Sequence, residues 1–169
     1  MSKFEKVSYD QWRADSGFTG VPEAALRKMY DSIQLPQQAT ASSAGCDFFM
    51  PFTLNFTAGD TFRIATGIRW MTEIDALDRG KVLLIVPRSS LGFKYGIKLS
   101  NTVGVIDADY CDSDNEGHII ISLENPSDRD VMLEAGKPFA QGIIVKYEIP
   151  EGAKSDAYRN GGFGSTDKK

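Results

Sequence analysis

The sequence predicts an all-β fold of sandwich or barrel type, on three observations. From Ala44 onward, short segments rich in β-branched and aromatic residues recur at even spacing. Gly, Pro, Asn and Asp punctuate them. No helical pattern intervenes between them, which argues against a parallel α/β architecture. The segments fall at 47–50, 52–56, 61–70, 81–86, 97–106, 118–123 and 139–149. With 169 residues the chain suits one domain, and a chain of this size buries roughly 70% of its unfolded surface.

Residues 1–20 are polar and mixed, with Trp12 and Phe18 as isolated anchors. Residues 21–33 carry a helical signal: Pro22 suits a first-turn position, and Leu26, Met29, Tyr30 and Ile33 recur on one face. Pro36 sets its limit. Gln37 to Ser43 is a polar loop. Ala58-Gly59-Asp60 and Glu134-Ala135-Gly136-Lys137 read as turns between strands. From Pro150 the composition shifts to Gly, Ser, Thr and Lys, with too little apolar surface to offset the entropy of ordering. The expected organisation is an N-terminal extension with one helix (1–40), a β domain (41–150) and a C-terminal tail (151–169) that closes on substrate.

The formal net charge is -4, so broad attraction to nucleic acid is not expected. Cys46 and Cys111 have no metal-like spacing and read as free thiols of a reducing compartment. The longest apolar runs are strand-length, and no signal peptide or membrane span is read; the expected location is cytoplasmic.

The chemistry concentrates between Val86 and Tyr110. The apolar run 82–86 reads as a buried strand that delivers Pro87, Arg88, Ser89 and Ser90. A guanidinium beside two hydroxyls suits an oxyanion, because its fork matches phosphate oxygens. After a turn containing Gly92 and Gly96, a second run ends on Asp107, with Asp109 and Tyr110 beyond. A carboxylate there can polarise a water or hold a metal. Phosphate donors and a proton acceptor on one short hairpin point to hydrolysis of a phosphate compound. The competing reading is that these are solvated strand-end residues.

Five stretches, taken in order, carry a family resemblance. They are Ala44-Gly45-Cys46-Asp47; Pro87-Arg88-Ser89-Ser90 with Gly92; Gly104-Val105-Ile106-Asp107-Ala108-Asp109-Tyr110; Gly136-Lys137-Pro138-Phe139-Ala140-Gln141; and Arg159-Asn160-Gly161-Gly162-Phe163-Gly164-Ser165-Thr166. Together they resemble the trimeric dUTP pyrophosphatases, the dUTPases, over about residues 41–169.

The resemblance implies a jelly-roll-like β fold and a homotrimer whose active sites are each built from all three chains. It implies hydrolysis of dUTP to dUMP and pyrophosphate, with Mg²⁺ on the triphosphate. Such an activity limits uracil in DNA and supplies dUMP for thymidylate synthesis. Asp107 matches the carboxylate that activates the attacking water. Tyr110 matches the ring that packs on the deoxyribose and excludes a 2′-hydroxyl. Asn101 and the backbone of Val105 and Ile106 match the hairpin that reads the uracil edge. Arg88, Ser89, Ser90 and Gln141 match phosphate ligands, and Asp47 matches a carboxylate near the metal's water shell. Arg159, Phe163, Gly164, Ser165 and Thr166 match the tail that closes over the base and γ-phosphate.

The residue types suit this chemistry. In-line attack on a phosphoryl centre depends on positioning and charge neutralisation. Mg²⁺ keeps most of its waters and needs no dense ligand cluster. The single His118 reads as a strand residue, and no Ser-His-Asp arrangement is expected, so a carboxylate must be the base. The chain departs from the family after Tyr110, where Cys111-Asp112-Ser113-Asp114-Asn115-Glu116-Gly117 reads as a longer, acidic and solvated hairpin tip. Two alternatives stand beside the hydrolase. A dCTP deaminase shares the hairpin, but the Phe-containing tail and the Asp107-to-Tyr110 run favour the dUTPase. A regulatory protein partner, docking on residues 1–40 or the acidic tip, would be an added role.

Overall fold

The computed structural model describes residues 2–72 and 80–153. Its central element is β7 (Lys81–Pro87), the apolar run expected from the sequence. It lies between β12 (Pro138–Lys146) and β9 (Gly104–Ile106), antiparallel to both. On the other side of β12 follow β3 (Cys46–Phe49) and β2 (Gln37–Gln38), giving the sheet order β2-β3-β12-β7-β9. Three smaller sheets complete the β framework. β5 (Thr61–Ala65), β10 (Ile120–Glu124) and β8 (Lys98–Leu99) form one. β4 (Leu54–Phe56) pairs with β11 (Val131–Leu133). β6 (Ile68–Met71) pairs with β1 (Lys3–Lys6).

Alternation along β7 decides what the large sheet buries. Leu83 and Ile85 turn to the core with Phe48, Phe139, Ile64 and Trp70. Gly142, on β12, lies against them, and a Cβ there would stand 2.8 Å from Phe48 and 3.0 Å from Leu83. The opposite face carries Val82, Leu84, Val86, Val105, Ile143 and Val145, with Val105 60% exposed. That face is mostly apolar and partly exposed, with Gln141 beside Val86.

Three expectations need correction. First, 97–106 is not one strand. β8 pairs with β10, while β9 pairs with β7, so the two halves belong to different sheets. The chain turns between them through Thr102 at φ 66°. The run 61–70 divides in the same way, into β5 and β6, at Thr66 and Gly67. Second, the turn after Arg88 is a helix, α3 (Ser89–Tyr95), so a helix does interrupt the strands. Gly96, at φ 70°, ends it and donates to the Gly92 carbonyl. Third, the N-terminal extension holds more than one helix.

The expected helix is α2 (Glu23–Asp31), with Pro22 at its N-cap. Leu26 and Ile33 are buried, and Met29 and Tyr30 pack against the core, as their spacing predicts. Before it come β1 and α1 (Tyr9–Ser16). Ser8 caps α1 by accepting from Gln11 N–H at 3.1 Å, and Gly17 closes it in the left-handed region. Trp12 is fully buried and donates from Nε1 to the Ala65 carbonyl at 3.1 Å. It is a core residue of the domain and not an isolated anchor. Among the described residues, no helix is long and apolar enough to cross a membrane.

Candidate active site

The sheet register brings three predicted residues together. Gln141 and Asp47 are direct cross-strand partners on β12 and β3. Gln141 Nε2 donates to Asp47 Oδ1 at 3.0 Å. Arg88, one residue beyond β7, places Nη2 3.4 Å from Asp47 Oδ2. Its backbone N–H donates to the Phe139 carbonyl, where the β12–β3 register shifts between Pro138 and Ala140. A bulge of this kind aims side chains at a strand end. The carboxylate is buried, whereas the guanidinium is partly exposed, so the arginine keeps donors for an external anion. Ser89 and Ser90 open α3 beside it and are exposed.

The second group surrounds β9. Leu99, Ser100 and Asn101 at the end of β8, Gly104, Val105 and Ile106 of β9, and residues 119–122 on the β10 side line a cavity of about 290 Å³. Asn101, Val105 and Ile106 therefore line one concave site. Asp107 follows at once, exposed, in extended conformation at the head of a 3₁₀ helix (Ala108–Asp112). Tyr110 lies on that helix and is only 6% exposed. Its hydroxyl donates to the His118 carbonyl at 3.1 Å and accepts from Asn115 Nδ2 at 2.9 Å.

Within one chain, Arg88 and Asp107 stand at opposite ends of β7. Ile106 pairs with Leu83 near the start of β7, whereas Arg88 follows the end of that strand. Five residue steps separate the two levels, about 17 Å at the usual rise. The single short hairpin expected to join Arg88 to Asp107 is replaced by a helix and two strands of different sheets.

The expected solvated tip is also corrected. Asp112 and Asp114 are exposed, but Glu116 accepts from the Ser8 backbone N–H at 2.7 Å and the Ser8 hydroxyl at 2.6 Å. These hydrogen bonds hold the Glu116 carboxyl below its ordinary pKa. His118 sits just before β10, fully buried. Its Nε2 accepts from Gly67 N–H at 2.8 Å, so Nδ1 carries the proton and donates to Asp15 Oδ2 at 2.6 Å. Burial lowers the imidazole pKa, and Asp15 opposes that shift without reversing it. The contacts of Ser8 with Glu116 and of Asp15 with His118 are not anticipated by local sequence pattern. The Ser8-to-Gln11 capping signature was the available clue to the start of α1. Nothing local announces the pairing of Asp15 with His118, 103 residues away.

Both cysteines are free thiols, as expected, and burial raises the pKa of each. Arg159, Phe163, Gly164, Ser165 and Thr166 lie outside the described residues.

Comparison with known proteins bears on the family and the fold. A family model described as dUTPase matches residues 31–167. The deoxyuridine 5′-triphosphate nucleotidohydrolase of Lactococcus lactis subsp. lactis is 36% identical over 137 residues, spanning 79% of this chain and 88% of that protein. The protein of the same name from Psychromonas ingrahamii is 38% identical over 141 residues, 79% of this chain and 87% of the relative. Among solved structures, the dUTPase from Streptococcus mutans superposes with a TM-score of 0.65 at 31% identity, covering 88% of this chain and 98% of that one. The dUTPase of phage phi11 of S. aureus shares the fold, with a TM-score of 0.63 at 16% identity over 94% of this chain and 97% of its own.

Proposed function

The chain belongs to the dUTPase family, and from that premise we propose that it hydrolyses dUTP to dUMP and pyrophosphate at a site shared between copies of the chain. The observation that carries this reading is the cavity at β8 and β9, with Asp107 directly after its lining residue Ile106. The backbone of Val105 and Ile106, with Asn101, reads the uracil edge. A site that pairs one donor–acceptor pattern strongly rejects the opposite pattern of cytosine. Tyr110 packs on the deoxyribose. Asp107 takes a proton from the attacking water, the α–β phosphate linkage breaks, and pyrophosphate leaves.

Arg88, Ser89, Ser90 and Gln141 hold the phosphates. Because they lie at the far end of β7 from Asp107, they serve the catalytic aspartate of another copy in a homotrimer. The apolar outer face of β7, β12 and β9 supports such self-association. Arg159, Phe163, Gly164, Ser165 and Thr166 close over the base and γ-phosphate.

The described residues contain no group of three or more His, Cys, Asp or Glu able to hold a metal. Mg²⁺ would be carried by the triphosphate, and Asp47, which anchors Gln141 and Arg88, is the carboxylate that would lie near its water shell. When bound, the cation neutralises phosphate charge that develops during the reaction.

The test is pyrophosphate release from dUTP, dTTP, dCTP and UTP, with and without Mg²⁺. Release from dUTP alone, and only with Mg²⁺, is expected. Asp107→Asn should keep nucleotide binding and lose turnover by a factor of about 10² or more. Near-normal turnover in that variant would refute the assignment, and ammonia release from dCTP would replace the hydrolase with a deaminase.

A further inference from the structure

The N-terminal extension is tied to the loop that follows Asp107, and the ties converge on its two functional residues. The loop from Ala108 to His118 folds back on itself. Gly117, at φ 71°, lies so close to the 3₁₀ helix that a Cβ would stand 2.6 Å from Cys111 Cα and 2.9 Å from the Tyr110 carbonyl. Its neighbour Glu116 is itself in the left-handed region, at φ 58°, a conformation that costs a non-glycine residue energy unless its surroundings hold it. Ser8 holds it, through two charge-assisted hydrogen bonds.

The second tie is at His118. Its carbonyl receives the Tyr110 hydroxyl, and its ring bonds to Asp15 on α1 and Gly67 before β6. A short path therefore runs from α1 to Tyr110, and through the backbone of the 3₁₀ helix to Asp107.

We propose that Ser8 and Glu116, with Asp15 and His118, are positioning residues through which the N-terminal extension sets Asp107 and Tyr110 for catalysis and sugar discrimination. The proposal rests on the roles given above to those two residues. Ser8 and Asp15 then support the active site without themselves touching substrate, and α2 takes no part in this.

Glu116→Ala frees the loop without touching substrate. Its kcat for dUTP should fall about ten-fold, and the ratio of kcat/KM for dUTP over UTP should narrow by at least as much. Glu116→Gln keeps an acceptor for the Ser8 N–H and should recover most of both. The Ser8→Ala and Glu116→Ala losses should be non-additive in the double variant, because both break one contact. Leu26→Ala, which opens a cavity in the core under α2, is the control for stability alone. It should lower Tm but leave kcat and the dUTP/UTP ratio unchanged at a temperature where it is folded.

Wild-type kcat and discrimination in Glu116→Ala would overturn the proposal, as would equal losses in Leu26→Ala. Should Glu116→Ala fail to fold, Glu116→Gln and Ser8→Ala decide by the same two readouts. Asp107→Asn, measured alongside, separates the two ideas: an active Asp107→Asn sinks the base assignment, whereas an inactive one beside an unaffected Glu116→Ala sinks only the positioning role.

Discussion

Gln141 and Asp47 face each other across the β12–β3 ladder, and the amide donates to the carboxylate at 3.0 Å. The second carboxylate oxygen faces Arg88. One buried acid therefore orients two side chains that are assigned to the phosphates. Asp47→Ala should lower stability by about 1–3 kcal/mol, since Gln141 loses its acceptor in a partly buried setting. It should also raise KM for dUTP, because Arg88 loses the group that fixes its direction. Asp47→Asn keeps an oxygen for Gln141, so urea denaturation should show most of the stability restored. Its KM should remain high. Equal KM values in wild type and Asp47→Asn would show that the acid does not orient the arginine.

Much of this geometry was readable from local pattern. The period of Leu26, Met29, Tyr30 and Ile33 gave α2 its buried face. The apolar run ending at Arg88 gave the central strand. What local pattern could not supply was pairing. β8 and β9 look like one strand because both are apolar, and only their partners, β10 and β7, separate them. The helix α3 was hidden by Gly92 and Gly96, which read as turn residues although only Gly96 takes a positive φ. The same limit explains the acidic tip. Glu116 looks solvated until Ser8, 108 residues earlier, is placed beside it.

His118 makes stability depend on pH in a defined window. Its folded-state pKa lies below its ordinary value because the ring is buried. Above about pH 6.5 the ring is neutral whether the chain is folded or not, and it contributes no slope. As the pH falls below that value, the unfolded chain takes up the proton first, so stability falls. The slope from one such group is at most about 1.4 kcal/mol per pH unit. Protonation would also cost the Gly67 N–H its acceptor at Nε2. Glu116, whose pKa is lowered, loses its contribution only at more acid pH, below the ordinary carboxylate value of about 4.3. Denaturation midpoints between pH 7.5 and 5 should therefore fall in wild type. In His118→Gln the stability should be lower at pH 7.5 but its pH dependence shallower. An unchanged slope in that variant would place the titrating group elsewhere.

The separation of Arg88 from Asp107 along β7 permits a decisive mixing experiment. Arg88→Ala should lose phosphate binding, and Asp107→Asn should lose proton transfer, so each homo-oligomer is inactive. If every site takes its arginine from one chain and its aspartate from another, mixed assemblies contain some sites in which both residues are intact. Unfolding and refolding the two variants together in equal amounts should restore about a quarter of wild-type activity, the share expected for random assembly of a cyclic trimer. A site completed within a single chain predicts no recovery at all, because every chain in the mixture carries one defect. Val145→Glu provides the companion test. It puts a charge on the outer face of β12, across β7 from β9 and Asp107. Sedimentation should then show monomers, and turnover should be lost even though each monomer retains Arg88 and Asp107. Full activity in a monomeric Val145→Glu would mean that one chain suffices, contrary to the distance set by the β7–β9 register.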